Sequence, residues 1–410
     1  MSDPGLRLTS AFGLLAMIGV AWAFSEHRRR MPWRVIGWGL GLQLALAVLL
    51  LKTTPGQVFF RGVNDAVLGF LQFTDAGTTF MFGPIKALGF SFVLDVLPII
   101  LFMGSIFSIL YHWGIVQRVI DGMAWVLRRT LRTSAAESLA AAANIFVGMT
   151  EAPLLVRPYL ERMTRSELFT VMVTGMATIA GSVLVAYAKM LGEGEFSGHL
   201  VTASLLSAPA AILIAKVMVP ETETPVTIES GHAAVERTSV NWIDAASQGA
   251  LAALRLAGYI GALLLCFVAL IALVNAFLGM VGGFVGRPDL TLQQILGLLF
   301  WPLAVLLGVE PAESFQVAQL LGVKTVLNEF LAFDQLGALM ADGAISHRTA
   351  VISSYALCGF ANFGSLAILL GGIGGMAPSR RPELATLGLR SILAGTLATL
   401  MTGCVVGILL

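Results

Sequence analysis

Repeated apolar stretches, each about as long as a membrane-spanning helix, constrain the fold of this chain more than any other feature. A helix that crosses a bilayer needs about 20 apolar residues, and eight stretches qualify: 8–24, 35–52, 90–112, 167–189, 198–218, 252–280, 345–371 and 385–409. Of the 410 residues, 57% are hydrophobic and 12% are charged, about half the charged share of an average soluble domain. The sequence therefore predicts an all-α polytopic membrane protein with eight transmembrane helices.

Several function classes are disfavoured by the same sequence. The formal net charge of +1 gives no reason to expect a nucleic-acid partner. The motifs of membrane-embedded enzymes are absent, namely HExxH, paired aspartates within spans and aspartate-rich Mg²⁺ motifs. The first apolar run ends in Ala21-Trp22-Ala23 but a basic flank follows it, so we interpret it as a retained first span. We expect a non-enzymatic protein with no organic cofactor.

Three further apolar stretches are interrupted by polar residues, Gly or Pro. The stretch 57–82 is amphipathic, which predicts an interfacial helix. The stretches 134–163 and 291–340 carry carboxylates, and we interpret them as containing re-entrant pieces at 134–163 and 312–343. Non-helical backbone at membrane depth is tolerated only where protein or a water-filled cavity covers it.

Basic residues between the spans indicate the orientation, because cytoplasmic loops are enriched in Lys and Arg. Placing them in the cytoplasm leaves both termini outside, with 134–163 entering from the inside and 312–343 from the outside. Residues 221–237 then form a long cytoplasmic loop. The compact chain and its basic first loop favour a multi-pass protein of a bacterial inner membrane. The basic residues are Arg28, Arg29, Arg30, Arg34, Arg128, Arg129, Arg132, Arg157, Arg162, Arg165, Arg380 and Arg381.

An internal repeat supports this scheme. The stretch "GMATIAGS" (175–182) resembles "GFANFGS" (359–365), and each lies within a span that follows a hairpin with one central acid. Hairpin, broken span and full span thus occur twice, in opposite orientation. Such paired, Gly-interrupted segments indicate the midplane binding site of a transporter.

The two hairpin acids, Glu151 and Glu329, are the strongest candidates for function. An ionisable group inside a bilayer is costly and usually functional, and a carboxylate suits a ligand rich in hydrogen-bond donors. The alternative is that both acids pair with a base such as Lys324 and only hold the hairpins together. We expect Lys324 to neutralise a hairpin acid rather than to bind substrate.

Polar residues in the broken spans are the next candidates. Thr178 and Asn362 occupy equivalent points of the two repeats, where an unwound helix would offer an oxygen-rich site for a monovalent cation. The alternative for both is a hydrogen bond between helices, which is common in membranes. Ser182 and Ser365 could equally be small packing residues. Phe360 could stack on a planar ligand or only pack.

The hairpin "NIFVGMTEAPLL" (144–155) resembles the Asn-x-x-Val-Gly-Gln-Thr-Glu-Ala-Pro pattern of the concentrative nucleoside transporter family. The stretches "MATIAGSVLVAY", "ILGLLFWPLAVLLGV", "KTVLNEFLAF" and "GFANFGSLAI" also resemble that family. The resemblance covers nearly the whole chain from about Phe80 onward, in the right order and spacing.

The resemblance implies a homotrimer of subunits with eight transmembrane helices, two re-entrant hairpins and an interfacial helix. It implies a scaffold and a transport part. The scaffold would comprise 1–55 (first two spans), 56–133 (interfacial helix and third span) and 219–310 (cytoplasmic loop, sixth span and linker helix). The transport part would comprise 134–218 and 311–410, each a hairpin with its repeat.

The resemblance also implies the site residues. The nucleobase would meet Gly148, Met149, Thr150 and Glu151, with Val183 and Phe360 packing on it. The ribose hydroxyls would meet Glu329, Asn362 and Ser365. The coupling sodium ion would be held by the side chains of Asn144 and Thr178 and the carbonyls of Val147 and Ile179. Asn362 thus goes to the sugar and not to the ion.

Met149 departs from the usual family pattern, which has Gln at this position. A thioether offers an adaptable apolar wall in place of an amide partner for a base edge, so we expect sodium-driven import that favours purine nucleosides. The alternative is a proton-coupled symporter with broad or pyrimidine preference, in which Glu151 or Glu329 carries the proton. A channel or a nucleoside-sensing receptor on the same fold is a further alternative.

Overall fold

The described part of the chain is helical throughout. The computed structural model describes residues 3–83, 85, 92–192, 196–227, 239–284 and 286–410, and no strand occurs in them. Their α-helices are α1 (Pro4–Ala23), α2 (Trp33–Lys52), α3 (Thr54–Phe82), α4 (Leu97–His112), α5 (Ile115–Leu131), α6 (Ala135–Ala143), α7 (Ala152–Leu155), α8 (Arg165–Ala177), α9 (Gly181–Met190), α10 (Ser197–Met218), α11 (Trp242–Gly283), α12 (Leu292–Leu306), α13 (Ser314–Val326), α14 (Glu329–Ala341), α15 (His347–Leu357), α16 (Phe363–Met376) and α17 (Arg381–Leu409).

Seven segments of this described part are long and apolar enough to cross a membrane, and they match seven of the eight predicted spans. They are Pro4–Ala23, Trp33–Lys52, Val93–His112, Arg165–Met190, Ser197–Met218, Trp242–Gly283 and Pro378–Leu409. The eighth predicted span, 345–371, is divided between α15 and α16, each shorter than a full crossing. Residues 90 and 91 of the third span, and most of the predicted loop 221–237, lie outside the described residues.

Burial separates an inner group of spans from an outer group. In the apolar window of Arg165–Met190, 94% of the residues are buried, against 11% in α11. With 42 residues, α11 is about 63 Å long at 1.5 Å per residue, about twice the hydrocarbon thickness of a bilayer. The inner spans can therefore carry a site, whereas most of the α11 surface is not buried within the chain.

Two helix–turn–helix segments occupy the predicted hairpins. The first begins with α6, where Ser134 and Glu137 form a capping box, and it ends in α7 and a 3₁₀ turn at Arg157–Arg162. The second joins α13 to α14 through Leu327 and Asn328, and the Asn328 side chain accepts a hydrogen bond from the Leu331 N–H. Both hairpin turns thus bring a helix start close to the protein interior.

Both predicted helix breaks are present. α8 ends at Ala177 and α9 begins at Gly181, while α15 ends at Leu357 and α16 begins at Phe363. The order of a helix pair, a broken helix and a long helix therefore occurs twice, ending in α10 and in α17.

An amphipathic helix that the sequence analysis missed follows α4. The sequence analysis uses only Arg128, Arg129 and Arg132 of this region, as basic residues between spans, whereas residues 115–131 form α5. Its buried residues Val116, Ile120, Leu127 and Leu131 recur at helical spacing, so they share one face.

The first two helices pack against the repeats. Ser10 of α1 donates a hydrogen bond of 2.7 Å to the Leu307 carbonyl and lies against Gly407 of α17. Gln43 of α2 is fully buried and donates to the Leu206 carbonyl of α10. Residues 1–55 are therefore in direct contact with the predicted transport part.

Candidate functional site

A cavity of about 400 Å³ lies between the two hairpin turns and the two helix breaks. This volume falls within the usual range for small-ligand sites. All nine residues expected to contact substrate line it: Gly148, Met149, Thr150, Glu151, Val183, Glu329, Phe360, Asn362 and Ser365. Residues that are up to 217 positions apart in the chain thus meet around one space large enough for a nucleoside.

The carboxylate of Glu329 is the most strongly positioned polar group of this cavity. Its side chain is 4% exposed. Tyr187 Oη donates a hydrogen bond of 2.9 Å to Oε1, and Asn362 Nδ2 donates one of 2.8 Å to Oε2. Because the Asn362 Oδ1 accepts from the Ser365 N–H at 2.7 Å, the orientation of this amide is fixed. Glu329 is therefore a rigid acceptor beside the cavity.

Tyr187 is a functional candidate that the sequence analysis did not single out. Its ring stacks on Phe333 with centroids 4.5 Å apart and meets Phe330 edge-on at 4.7 Å. A buried tyrosine hydroxyl in an apolar span needs a hydrogen-bond partner. The tyrosine in the apolar stretch "VLVAYAK" (183–189) therefore indicates a polar contact inside the protein.

Lys324 interacts with the hairpin acid Glu329 only through longer-range electrostatic attraction and not through a direct ion pair. It is fully buried, and its Nζ donates hydrogen bonds of 2.9 Å to the Ala356 carbonyl and to Thr399 Oγ1. Within the described residues its ammonium forms no ion pair with Glu329 or Glu151. Both acids line the cavity without a direct ion pair to Lys324.

Glu151 differs from Glu329 because its side chain is exposed to the cavity. Its carboxylate folds over Gly148, where a Cβ atom would lie 2.2 Å from Oε2. Among the described residues no side chain donates a hydrogen bond to this carboxylate, which leaves it available to a ligand. A side chain at residue 148 would therefore displace the Glu151 carboxylate from its present position.

The residues expected to hold sodium lie behind the first hairpin turn. Asn144 is 1% exposed, its Nδ2 donates to Thr174 Oγ1, and its Oδ1 has no hydrogen-bond partner. Thr178 is buried and its hydroxyl donates to the Thr174 carbonyl at 2.8 Å. A buried amide oxygen with no donor fits a small hard cation, because buried acceptors are almost always satisfied.

The other two expected sodium ligands lie nearby in the chain. Val147 lines the cavity and Ile179 is fully buried. The Gly181 N–H donates a hydrogen bond of 3.0 Å to the Phe146 carbonyl, which joins the hairpin turn to the start of α9.

One wall of the cavity comes from α4 and α11, which the sequence analysis did not connect with the site. Phe107 and Ser108 of α4 and Gln248 and Tyr259 of α11 line it. Phe107 lies so close to Gly181 that a Cβ atom there would be 2.4 Å from its ring. The inner helices and the outer helices thus meet at the cavity.

Family models for nucleoside transporters match most of the chain. The model for the C-terminal part of Na⁺-dependent nucleoside transporters matches residues 199–407, and the model for the N-terminal part matches 12–85. A third model, described as nucleoside recognition, matches residues 93–194.

Individual proteins agree over the full length. The chain is 43% identical to mouse solute carrier family 28 member 3, covering 98% of this chain and 59% of that protein, so it spans under two thirds of that relative. It is 44% identical to an uncharacterized transporter of Haemophilus influenzae, covering 98% and 97%.

Solved structures show the same fold. The chain is 40% identical to CNTnw in an inward-facing, substrate-bound state, with a TM-score of 0.91 and coverage of 98% and 97%. A CNTnw variant in an outward-facing state gives a TM-score of 0.93 at 40% identity, covering 99% and 98%. With the apolar helices described above, these matches make the chain a multi-pass membrane protein and a member of the Na⁺-dependent, concentrative nucleoside transporter family, which consists of transporters and not of enzymes.

Proposed function

We propose that this chain is a secondary active symporter that imports nucleosides across a bacterial inner membrane, driven by sodium and favouring purine nucleosides. The observation that carries the proposal is the convergence of nine expected contact residues on one cavity, with Glu329 fixed beside it by Tyr187 and Asn362. This arrangement supports binding of a ligand that combines a planar ring with several hydroxyl donors.

The polarity of the cavity wall suggests how the nucleoside lies. Ribose hydroxyls would donate to Glu329 and contact Asn362 and Ser365, because the carboxylate can only accept. The base would lie between the first hairpin turn and Phe360, with Met149 as an apolar wall for the larger ring of a purine. Burial of Met149 at 8% exposure supports a packing role for its thioether.

The side chains of Asn144 and Thr178, with the carbonyls of Val147 and Ile179, would hold the sodium ion. When bound, the ion supplies a positive charge that draws the hairpin turn to the break between α8 and α9. Asn144 is placed for this role because its Oδ1 has no other partner. Val147 would thereby couple the sodium site to the nucleoside site, because Gly148 follows it directly and Glu151 lies four residues further along the hairpin turn.

The driving force is sufficient for accumulation. One positive charge that moves through 100 mV supplies about 2.3 kcal/mol, and a tenfold sodium gradient adds about 1.4 kcal/mol. Together these could sustain roughly several-hundred-fold accumulation of nucleoside, since each 1.4 kcal/mol is a factor of ten.

We propose that α1 and α2 move with the two repeats, in contrast to the scaffold assignment expected for residues 1–55. Three contacts support this: Ser10 against Gly407 of α17, Gln43 with α10, and a bidentate ion pair of Glu26 with Arg165 at 2.8 and 3.0 Å. The scaffold would then comprise α3, α4, α5, α11 and α12.

The homotrimer, the re-entrant hairpins, the inverted repeat and both termini outside the cytoplasm remain part of the proposal. The outward-facing apolar side chains of α11 support a lipid or subunit contact there, including Leu265, Leu273 and Phe277 at 73%, 66% and 59% exposure. No nucleic-acid partner is proposed.

The test is uptake of radiolabelled adenosine and uridine into proteoliposomes, with an inward sodium gradient or with choline in place of sodium. Concentrative, sodium-dependent adenosine uptake supports the proposal. Asn144→Ala should raise the sodium concentration needed for half-maximal uptake, whereas Asn275→Ala in α11 should not. Equal uptake in choline, with a response to pH gradients, would favour the proton-coupled alternative. Absence of uptake of either nucleoside contradicts the substrate assignment.

A further inference from the structure

A lysine lies in the interior of the second repeat and, among the described residues, forms no direct ion pair. Lys324 is 0% exposed, and its ammonium donates only to neutral oxygens of Ala356 and Thr399. The charge of Glu329 acts on it only from beyond ion-pair distance, and a buried charge without a direct ion pair needs other polar partners. The Ala356 carbonyl belongs to the last turn of α15, where unpaired carbonyls carry the negative end of the helix dipole. The location of Lys324 therefore matches a cation-binding position.

The first repeat has an equivalent position. Asn144 directly follows α6, the first helix of the first hairpin, and its amide contacts Thr174 in the last turn of α8. Lys324 lies in the last turn of α13, the first helix of the second hairpin, and contacts the last turn of α15. In both repeats a polar side chain thus connects the first hairpin helix to the first half of the broken helix.

The two positions differ in charge. In the first repeat the connecting residue, Asn144, is neutral, and its Oδ1 has no hydrogen-bond partner. In the second repeat the ammonium of Lys324 already satisfies the Ala356 carbonyl and Thr399 Oγ1, each at 2.9 Å. A mobile cation is therefore needed only in the first repeat.

We infer that the ammonium of Lys324 supplies, as a tethered cation, the charge in the second repeat that a sodium ion supplies in the first. The second hairpin then stays attached to the end of α15 throughout the cycle. Only the first hairpin is assembled and released by an exchangeable ion, so one sodium ion moves with each nucleoside. This inference rests on the proposed sodium site at Asn144 and Thr178.

The first experiment measures the sodium-to-nucleoside ratio of the unsubstituted protein in proteoliposomes, from the membrane potential at which net uptake reverses. A ratio of one is expected. A ratio of two would overturn the inference, because a second sodium site would then exist beside Lys324. Absence of any sodium-dependent uptake would instead contradict the proposed function, so the two failures are distinguishable.

The second experiment removes the ammonium. Lys324→Met keeps a long unbranched side chain but removes the ammonium, and it should lower uptake at least about tenfold, since it leaves buried oxygens unpaired. Lys189→Met, at the end of α9 and only partly buried, is the matched control and should retain uptake. Full uptake by folded Lys324→Met would overturn the inference.

A third variant separates a charge role from a packing role. Lys324→Thr removes the ammonium but adds an oxygen, so a second sodium ion should bind and the sodium dependence of uptake should become cooperative. Folded Lys324→Thr with unchanged uptake and non-cooperative sodium dependence would overturn the inference. If neither variant yields a monodisperse protein, the ratio measured on the unsubstituted protein decides.

Discussion

The hydroxyl of Tyr187 donates a hydrogen bond of 2.9 Å to Oε1 of Glu329, and both side chains are buried. The bond connects α9 of the first repeat to the start of α14 in the second. Because Asn362 holds the other carboxylate oxygen, removal of the tyrosine hydroxyl would free one side of Glu329 without unfolding the network.

Tyr187→Phe should therefore weaken recognition of the sugar. A hydrogen bond to a charged group contributes about 1.5–3 kcal/mol, so we expect KM for adenosine to rise about tenfold or more. The stacking on Phe333 is retained, which keeps the fold intact. The increase in KM should be much smaller for whichever of 2′-deoxyadenosine and 3′-deoxyadenosine lacks the hydroxyl that donates a hydrogen bond to Glu329.

Tyr355→Phe is the control for this prediction, because Tyr355 is equally buried but its hydroxyl contacts His199 instead. An equal rise in KM for adenosine and for both deoxyadenosines would show that Tyr187 does not act through the sugar.

The sequence was most informative where a feature is local. The apolar spans and the two helix breaks both depend on residues close together in the chain. The amphipathic helix α5 was also within reach, since Val116, Ile120, Leu127 and Leu131 repeat with helical spacing. Its arginines enter the sequence analysis only as basic residues between the spans.

Long-range pairings could not be predicted in the same way. Tyr187 and Glu329 are 142 positions apart, and Lys324 and Thr399 are 75 apart. Glu329 is the acid nearest to Lys324 in sequence, but Leu327 and Asn328 turn the chain between them. Lys324 contacts neutral oxygens of α15 and α17 instead, which only the packing of the helices reveals.

Gly148→Ala should impair nucleoside binding strongly. The added Cβ would lie 2.2 Å from Glu151 Oε2, so the carboxylate must move away from its present position over residue 148. Loss of a hydrogen bond from the ligand to a charged group corresponds to a decrease in affinity of about tenfold or more. Adenosine binding to the purified protein, measured by calorimetry, tests this.

Gly371→Ala is the control for this substitution, because a Cβ atom at Gly371 of α16 meets nothing within 4 Å. It should bind adenosine normally. If Gly148→Ala also binds normally, the position of the Glu151 carboxylate does not matter for the ligand.

Met149→Gln should shift the preference from purine toward pyrimidine nucleosides. The amide can donate to and accept from a base edge, while the thioether offers mainly an apolar surface. A neutral hydrogen bond contributes about 0.5–1.5 kcal/mol, which corresponds to a two- to tenfold change in the ratio of uridine to adenosine uptake. Met149→Leu, which adds no amide, should keep the original ratio. A glutamine variant with that same ratio would exclude residue 149 as the selectivity determinant.

The pH dependence of stability should reveal the contact between the first loop and the repeats. The hydrogen bonds from Arg165, with the nearby charge of Arg390, hold the pKa of Glu26 below its ordinary value of 4.5. A carboxylate whose pKa is lowered on folding stabilises the fold above its unfolded-state pKa. That stabilisation is lost as the pH falls through the lower, folded-state pKa.

Glu26→Gln should therefore melt at a lower temperature than the unsubstituted protein at pH 7, and the difference should shrink as the pH falls below about 4.5. Thermal unfolding in detergent at a series of pH values measures this. Glu223→Gln, at an exposed loop position, should leave the melting temperature unchanged at every pH. A difference for Glu26→Gln that persists undiminished to the lowest pH would mean that side-chain packing, and not the charge of Glu26, joins the first loop to α8 and α17.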